Sequence, residues 1–320
     1  MGGMARNGEH ILSRLKLRDL RILAAVAKAG SMASAARQLS VSQPAVSKAI
    51  ADLEATLRAR LFDRTPHGIE PTIYGAAMLR RAAAALDELS QGAADLEHLS
   101  NPEAGELRFN CNEVLASGIV PIILQRLLAK RPGLTFYILP SETPNQSVGH
   151  LVSERKVELE LGRYPTPLQG TDLEAEFLYN DPLVVVAGRT HLVARRRKLD
   201  LAEILHERWI LLPAGAPSAD IMERVFTDSG LALPRAIIYT TSMQVRIAML
   251  ASGHYITMLP ASSLRVSPIF NLMTILPIKL RVTAPPVGIV KLKGRTLSPV
   301  AELFAEAARK VAHEVMGSQR

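Results

Sequence analysis

A chain of 320 residues is too long for one small core and has room for two or three domains. Its hydrophobic share of 48% is ordinary, no apolar run reaches the roughly 18 residues of a membrane span, and no apolar leader with a small-residue cleavage site is seen, so neither membrane insertion nor export is expected and a cytoplasmic location is. The net charge of +8 is unevenly placed: residues 1–82 carry 13 Lys and Arg against six acids, 83–100 carry four acids and no base, and 101–320 carry 25 bases against 20 acids, which points the N-terminal part at a polyanion. The single cysteine, Cys111, excludes an internal disulfide and reads as a small buried hydrophobe in a reducing compartment.

The first helix is predicted from about Leu17 to Ala29, with Leu20, Leu23, Val26 and Ala27 on one stripe. A second follows Gly30, with Ser31 as its N-cap; Ala33, Ala35 and Ala36 are small enough for close helix crossing, and Leu39 and Val41 close the corner. The third opens on Ser42 as N-cap with Pro44 in its first turn, and buries Val46, Ile50, Leu53 and Leu57. Its opposite face carries Gln43, Ser47 and Lys48. Gln addresses adenine, Ser adapts to either base, and Lys reaches guanine or phosphate, as a recognition helix in a major groove requires. Arg37 suits a phosphate contact. Two short helices around a tight turn form a helix-turn-helix pattern; an ordinary three-helix packing unit is the plainer alternative. RLFDRTPHGIEPT then reads as a small β-wing with Arg64 on a phosphate, or as a simple surface hairpin.

From Ile73 to Leu99 only Gly75 and Gly92 interrupt a strong helix former. Leu79, Ala82, Leu86, Leu89, Ala93 and Leu96 alternate by three and four, the spacing of a coiled-coil seam, so this helix is expected to dimerise rather than pack on its own chain. A two-fold dimer of readers implies a pseudo-palindromic double-stranded DNA site. Asn101, Pro102 and Gly105 end the rod.

Residues 105–320 alternate strand and helix, which predicts an open, mostly parallel sheet with helices on its faces. Arg195, Arg196, Arg197 and Lys198 read as a solvated loop, and Glu158 and Glu160 as neighbours on a solvated strand face. The chain has no Gly-rich phosphate loop with a Lys, no His-Glu-x-x-His, no Cys-x-x-Cys and no Gly-x-Ser-x-Gly, and its eight histidines lack ligand spacing. No cofactor, metal or enzyme activity is therefore expected.

Residues 17–79 resemble the N-terminal domain of LysR-type transcriptional regulators, through LRDLRILAAVAKAGSMASAARQLSVSQPAVSKAIADLEATL, LFDR and PTIYG. Arg58 departs from the helix-ending Gly usual there, and Lys48 from a frequent Gln. The resemblance implies that Gln43, Pro44, Ser47 and Lys48 lie in the major groove and that Arg37 and Arg64 lie near phosphates, in a DNA-binding set that also contains Ser31 and Ser42. It further implies homodimers joined by the linker helix, commonly homotetramers, acting at promoters together with RNA polymerase.

Beyond Asn101 the chain is similar to the effector domain of the same family, a two-lobed fold like periplasmic binding proteins, through GELRF, VELELGRYP, NDPLVVVAGRTHL, ITMLP and LSPVAELF. The expected organisation is a winged helix-turn-helix at 15–72, a linker helix at 73–100 and an α/β effector domain at 101–320. Its first lobe would span 102–164 and 278–320, its second 165–277, with crossovers near Tyr164–Leu168 and Pro277–Thr283. A small-molecule effector would sit between the lobes, where strand ends and helix starts offer polar groups. The candidates are Asn112, Glu113, Ser117, Ser141, Glu142, Thr143, Arg163 and Ser242, each equally suited to a cap or turn, with Arg163 fit for a carboxylate or for an acid across the hinge. Rival readings are a ligand-binding module whose N-terminal unit only dimerises, and an architectural DNA binder without an effector.

Overall fold

The computed structural model of the chain describes residue 11 and residues 13–65, 68–101, 103–139, 149–164, 168, 171–216, 218–266 and 271–317. The chain forms two compact units, Met1–Leu96 and Glu97–Arg320.

The first unit holds helices α1 (Leu17–Ala29), α2 (Met32–Gln38) and α3 (Gln43–Leu57), the hairpin β1 (Phe62–Thr65) and β2 (Gly68–Pro71), and most of α4 (Ile73–Ser100). The helix starts follow from their caps. Ser31 Oγ accepts the Ser34 N–H at 3.1 Å, and Ser42 Oγ accepts that of Ala45 at 3.4 Å with Pro44 in the first turn. α1 stops at Gly30 in the left-handed region (φ 65°). α3 stops the same way at Arg58 (φ 51°), so the turn into the wing forms without the glycine. Leu20, Ile22, Leu23, Val26, Ala35, Ala36, Val46, Ile50 and Leu53 make the core, sealed by Leu61 and Phe62 of the wing.

The wing is tied down at three places. Glu54 Oε1 accepts the N–H of Leu61 (2.7 Å) and of Phe62 (3.3 Å), and the Ile69 N–H reaches the Gly30 carbonyl at 2.9 Å. Thr72 Oγ1 donates to the Arg60 carbonyl (2.7 Å) and accepts the Gly75 N–H (3.0 Å), joining the wing to the first turn of α4. That joint requires glycine, because a Cβ on Gly75 would lie 1.9 Å from the Leu61 carbonyl oxygen. Along α4, Ala82 is buried in the core of its own unit and Leu79 and Leu86 pack against that core. Further on, Leu89 (56% exposed), Ala93 and Leu96 (68% exposed) face outward.

The second unit contains β3 (Ala104–Cys111), β4 (Gly133–Leu139), β5 (Leu159–Arg163), β6 (Leu173–Tyr179), β7 (Leu183–Gly188), β8 (Ile210–Leu211), β9 (Ile238–Tyr239), β10 (Ile256–Pro260), β11 (Met273–Ile275) and β12 (Val287–Leu292). Its α-helices are α5 (Glu113–Ala116), α6 (Ile119–Lys130), α7 (His150–Ser153), α8 (Ala219–Thr227), α9 (Met243–Ala251), α10 (Ser263–Val266) and α11 (Pro299–Gly317). The first lobe is a sheet in the order β4-β3-β5-β12-β6. Leu107, Phe109, Leu159, Leu161 and Ile289 pack under α6 and α11 on one face, and Leu151, Val152, Tyr164 and Val290 pack on the other. The second lobe carries β10-β7-β11 and β8-β9, linked by a parallel bridge between Trp209 and Ile256. Trp209 anchors its core edge-on to Phe226, with its indole N–H on the Ile204 carbonyl at 2.9 Å.

Two expectations change here. The sheets are mixed rather than mostly parallel: β3 runs parallel to β4 and β5, but β12 is antiparallel to both β5 and β6, and β7 is antiparallel to both its neighbours. The returning tail enters the sheet from the opposite end, which reverses its direction. The lobe boundary also moves. β6 pairs with β12 from Leu173 to Tyr179 and so belongs to the first lobe, while Leu276, Ile278, Leu280 and Val282 still pack with the second-lobe core, placing the crossovers at 180–182 and 283–286. The sequence around β6 alternates like any half-buried strand, and only the pairing with a strand more than a hundred residues later assigns it.

The Gly75 contact yields a paired prediction. Gly75→Ala should lose about 1–3 kcal/mol in urea unfolding, from overpacking at the Leu61 carbonyl. Gly92→Ala, with nothing within 4 Å of the added carbon, should gain up to about 1 kcal/mol from helix propensity alone.

Candidate functional site

On α3 the two faces separate cleanly. Val46, Ile50 and Leu53 are buried and fix the helix, while Gln43, Pro44 and Lys48 are exposed and Ser47 half-buried on the outer side. Arg37 is exposed on α2 and its Nη2 donates to Ser34 Oγ at 3.2 Å, which orients the guanidinium outward from the turn. Ser31 and Ser42 spend their hydroxyls on helix caps. Arg64 pairs with Ile69 in the wing, and its side chain lies outside the described residues. Beside Lys48 runs a groove of about 410 Å³ that is also lined by Arg14, Lys16 and Arg18, with Asp19 and Asp52. No motif marks those three bases in the sequence, because their nearness to α3 is set by how α1 packs. Together the faces offer base-reading groups at a helix start, flanked by cations suited to phosphates.

In the second unit the lobes meet where α5 faces α9. Asn112 Oδ1 caps α5 by accepting the Leu115 N–H at 3.0 Å, and Ser117 Oγ turns back onto the Glu113 carbonyl. Ser242 caps α9 by accepting the Val245 N–H at 3.4 Å. Glu113 spans the gap: its Oε2 accepts the Met243 N–H of α9, and Val114 packs with Met243, Leu250 and Leu259 of the second lobe. The structure thus brings Asn112, Glu113, Ser117 and Ser242 to one junction. Ser141, Glu142 and Thr143 lie outside the described residues.

Arg163 serves the hinge. Its Nη2 lies 2.9 Å from Asp181 Oδ2 as an ion pair, and its Nη1 donates to the Pro285 carbonyl at 3.0 Å. Both side chains are buried, at 8% and 2% exposure, and burial lowers the guanidinium pKa while Asp181 opposes that. Asp181 also accepts the Ser262 N–H (2.9 Å) and hydroxyl (2.7 Å). Burial, with Asp181 nearby, pushes the Tyr179 hydroxyl up to about 12. Nothing in the sequence sets Asp181, Ser262 or the buried Arg246 apart from ordinary loop and helix residues.

Glu158 and Glu160 are not a solvated pair. Glu158 accepts the N–H and hydroxyl of Ser298 at the start of α11, and Glu160 accepts the Gly149 N–H at 3.1 Å. Burial raises the Glu160 pKa, while the nearby Tyr164 hydroxyl and the Gly149 N–H lower it. Cys111 is buried, and desolvation, aided by Glu160, lifts its thiol to about 12, so it stays protonated at neutral pH. Arg195 to Lys198 are all exposed. Among the described residues no group of His, Cys, Asp and Glu is placed to hold a metal ion, and no helix is long and apolar enough to cross a membrane.

Comparison with known proteins places these features. Residues 17–76 match the bacterial regulatory helix-turn-helix protein, lysR family, and residues 100–313 match the LysR substrate binding domain. The chain belongs to the LysR family: it is a DNA-binding transcriptional regulator with an effector-binding domain. Among its relatives, the HTH-type transcriptional regulator GbpR of Azospirillum brasilense is 28% identical over 298 residues, 93% of this chain and 86% of that protein. The HTH-type transcriptional regulator GalR of Pseudomonas putida is 27% identical over 297 residues, 93% of this chain and 74% of that one. Among solved structures, a full-length OxyR variant from Pseudomonas aeruginosa shares the fold at TM-score 0.65 and 20% identity, covering 92% of this chain and 95% of that one. Full-length CbnR complexed with its target DNA does so at 0.61 and 21%, covering 93% and 100%.

The hinge ion pair gives a measurable expectation. Arg163→Met leaves Asp181 buried without its cation and should cost about 3–5 kcal/mol in urea unfolding of the effector domain. Adding Asp181→Asn should recover part of that loss, because the uncompensated charge is removed.

Proposed function

We propose that this protein reads a pseudo-palindromic promoter site as a homodimer, or as a homotetramer built from such dimers, and that a small molecule bound between the lobes controls it. The observation that carries the DNA half is the outer face of Gln43, Ser47 and Lys48 at the start of a helix whose other face is locked in the core. Ser31 and Ser42 hold the two helix starts, and Arg37, Arg64 and the cations beside Lys48 supply phosphate contacts. The fold shared with CbnR, which was solved on its target DNA, supports the same docking.

Dimerisation runs through the outward stretch of α4. Leu89, Ala93 and Leu96 continue the three-four spacing at exposed positions, while Ala82 is already covered by its own chain and Leu79 and Leu86 steady the helix on the reader. The effector enters at the α5–α9 junction near Asn112, Glu113, Ser117 and Ser242, and Ser141, Glu142 and Thr143 are further contact candidates from the sequence. Arg163 acts on the hinge and not on the ligand. A ligand changes the output only by preferring one arrangement of the lobes. The protein acts by binding rather than catalysis, needs no cofactor, works in the cytoplasm and meets RNA polymerase at the promoter.

The test is binding of the intact protein to its own upstream region and to random DNA at matched salt; equal affinity for both would sink the reading. Gln43→Ala or Ser47→Ala should narrow the gap between cognate and altered sites, by about 1–3 kcal/mol at the affected position. Arg64→Ala should weaken all sequences alike and reduce the salt slope by about one. For the interface, Leu89→Glu with Leu96→Glu should shift sedimentation toward smaller species while leaving the circular dichroism of the reader intact. Unchanged sedimentation would move dimerisation off this helix.

A further inference from the structure

The junction between the lobes already holds a carboxylate. Glu113 Oε2 accepts the N–H of Met243, the first residue of α9. The first amides of a nine-residue helix lack partners inside it, and the positive end of its dipole lies there. Ser242 Oγ serves the Val245 amide, leaving the amide of Met243 to Glu113.

One turn further along α9 sits Arg246, only 2% exposed. Its Nη2 donates to Thr257 Oγ1 at 3.1 Å and to the Met258 carbonyl. Its Nε is buried and donates to nothing among the described residues. A guanidinium out of water needs an anion nearby to stay charged at low cost. Burial lowers its pKa to about 10, and Glu113, from the other lobe, is the charge that works against this. The second lobe therefore presents two features that favour an anion: a helix start whose first amide already holds a carboxylate and, one turn into the same helix, a buried cation with an unused donor.

We propose that the start of α9 and Arg246 behind it form a carboxylate subsite, that Glu113 fills it as an intramolecular stand-in, and that an effector bearing a carboxylate binds by displacing Glu113. This rests on the reading of the lobe junction as the effector site. Displacement frees the first lobe from its polar tie to α9 and substitutes the ligand's contacts, so acid binding and lobe arrangement are coupled. A neutral polyol offers nothing to replace the charge that Arg246 loses.

Glu113→Ala removes a CH2–carboxylate fragment whose free equivalent is acetate, and Glu113 is exposed, so the variant should fold. In the full-length variant, about 0.1 M acetate at constant ionic strength should raise the melting temperature of the effector domain by roughly 2–4 °C more than acetamide does. In the unaltered protein, where Glu113 occupies the subsite, acetate and acetamide should differ little. Hydrogen exchange supplies a second readout: amides 243–246 should exchange faster in the variant and be slowed again by acetate, not by acetamide. Equal effects of acetate and acetamide on the variant, or equal acetate effects on both proteins, overturn the proposal. The two readings fail separately. DNA binding that ignores every small molecule counts against the junction as an effector site, whereas acetate rescue of the variant still establishes the carboxylate subsite.

Discussion

The buried contact between Arg163 and Asp181 holds three separate segments at the point where the chain passes between lobes. Arg163 ends β5, Asp181 follows β6, and the Pro285 carbonyl that Arg163 also reaches lies on the returning connection. Two charges taken out of water are costly unless paired and hydrogen-bonded, and here Ser262 satisfies the remaining lone pairs of Asp181. The arrangement stabilises less by its own attraction than by the penalty for separating it. The two crossovers are thus tied to each other.

That constraint gives meaning to the α5–α9 junction. Among the described residues the lobes meet through Val114 against the apolar residues of the second lobe, through Glu113 on the start of α9, and where α10 approaches α6. A polar tie of this kind is exchangeable, since a ligand group can take the same amide. An apolar seal such as that around Trp209 and Phe226 is not, because opening it exposes core surface with no compensating bond.

The N-terminal unit works on a different principle. Its recognition face is positioned by what lies beneath and beside it: apolar residues of α3 below, and hydrogen bonds to Glu54, Gly30 and Thr72 that clamp the wing. None of those clamps uses the side chain of Gln43, Ser47 or Lys48. Gln43 and Lys48 are exposed and Ser47 half-buried, so their side chains can vary at little cost to the scaffold, and the groove alongside is lined by Arg14, Lys16, Arg18 and Lys48 with Asp19 and Asp52.

Much of this was legible in the residues. The caps at Ser31 and Ser42, the apolar stripe of α3 and the boundaries of the three helices follow from local rules, because a helix start depends on side chains within three or four residues of it. The glycine of the linker's first turn was visible as a motif, but its reason, the Leu61 carbonyl 1.9 Å from a would-be Cβ, was not. The heptad spacing of α4 was equally plain, yet spacing alone does not say which partner covers Ala82 and which leaves Leu96 exposed. By itself, then, the sequence determined the winged reader, the long helix, the α/β character of the remainder and the polar identity of the residues at strand ends, since all of these rest on composition and short-range periodicity. Only the tertiary structure decided that β6 belongs to the first lobe, that Arg163 serves the hinge, that Glu158 and Glu160 are turned inward, and that Glu113 meets α9 near Arg246. Each of those depends on pairing between residues far apart in the chain. The energetics of such pairs come from burial and from charges brought together by folding, which no local pattern encodes.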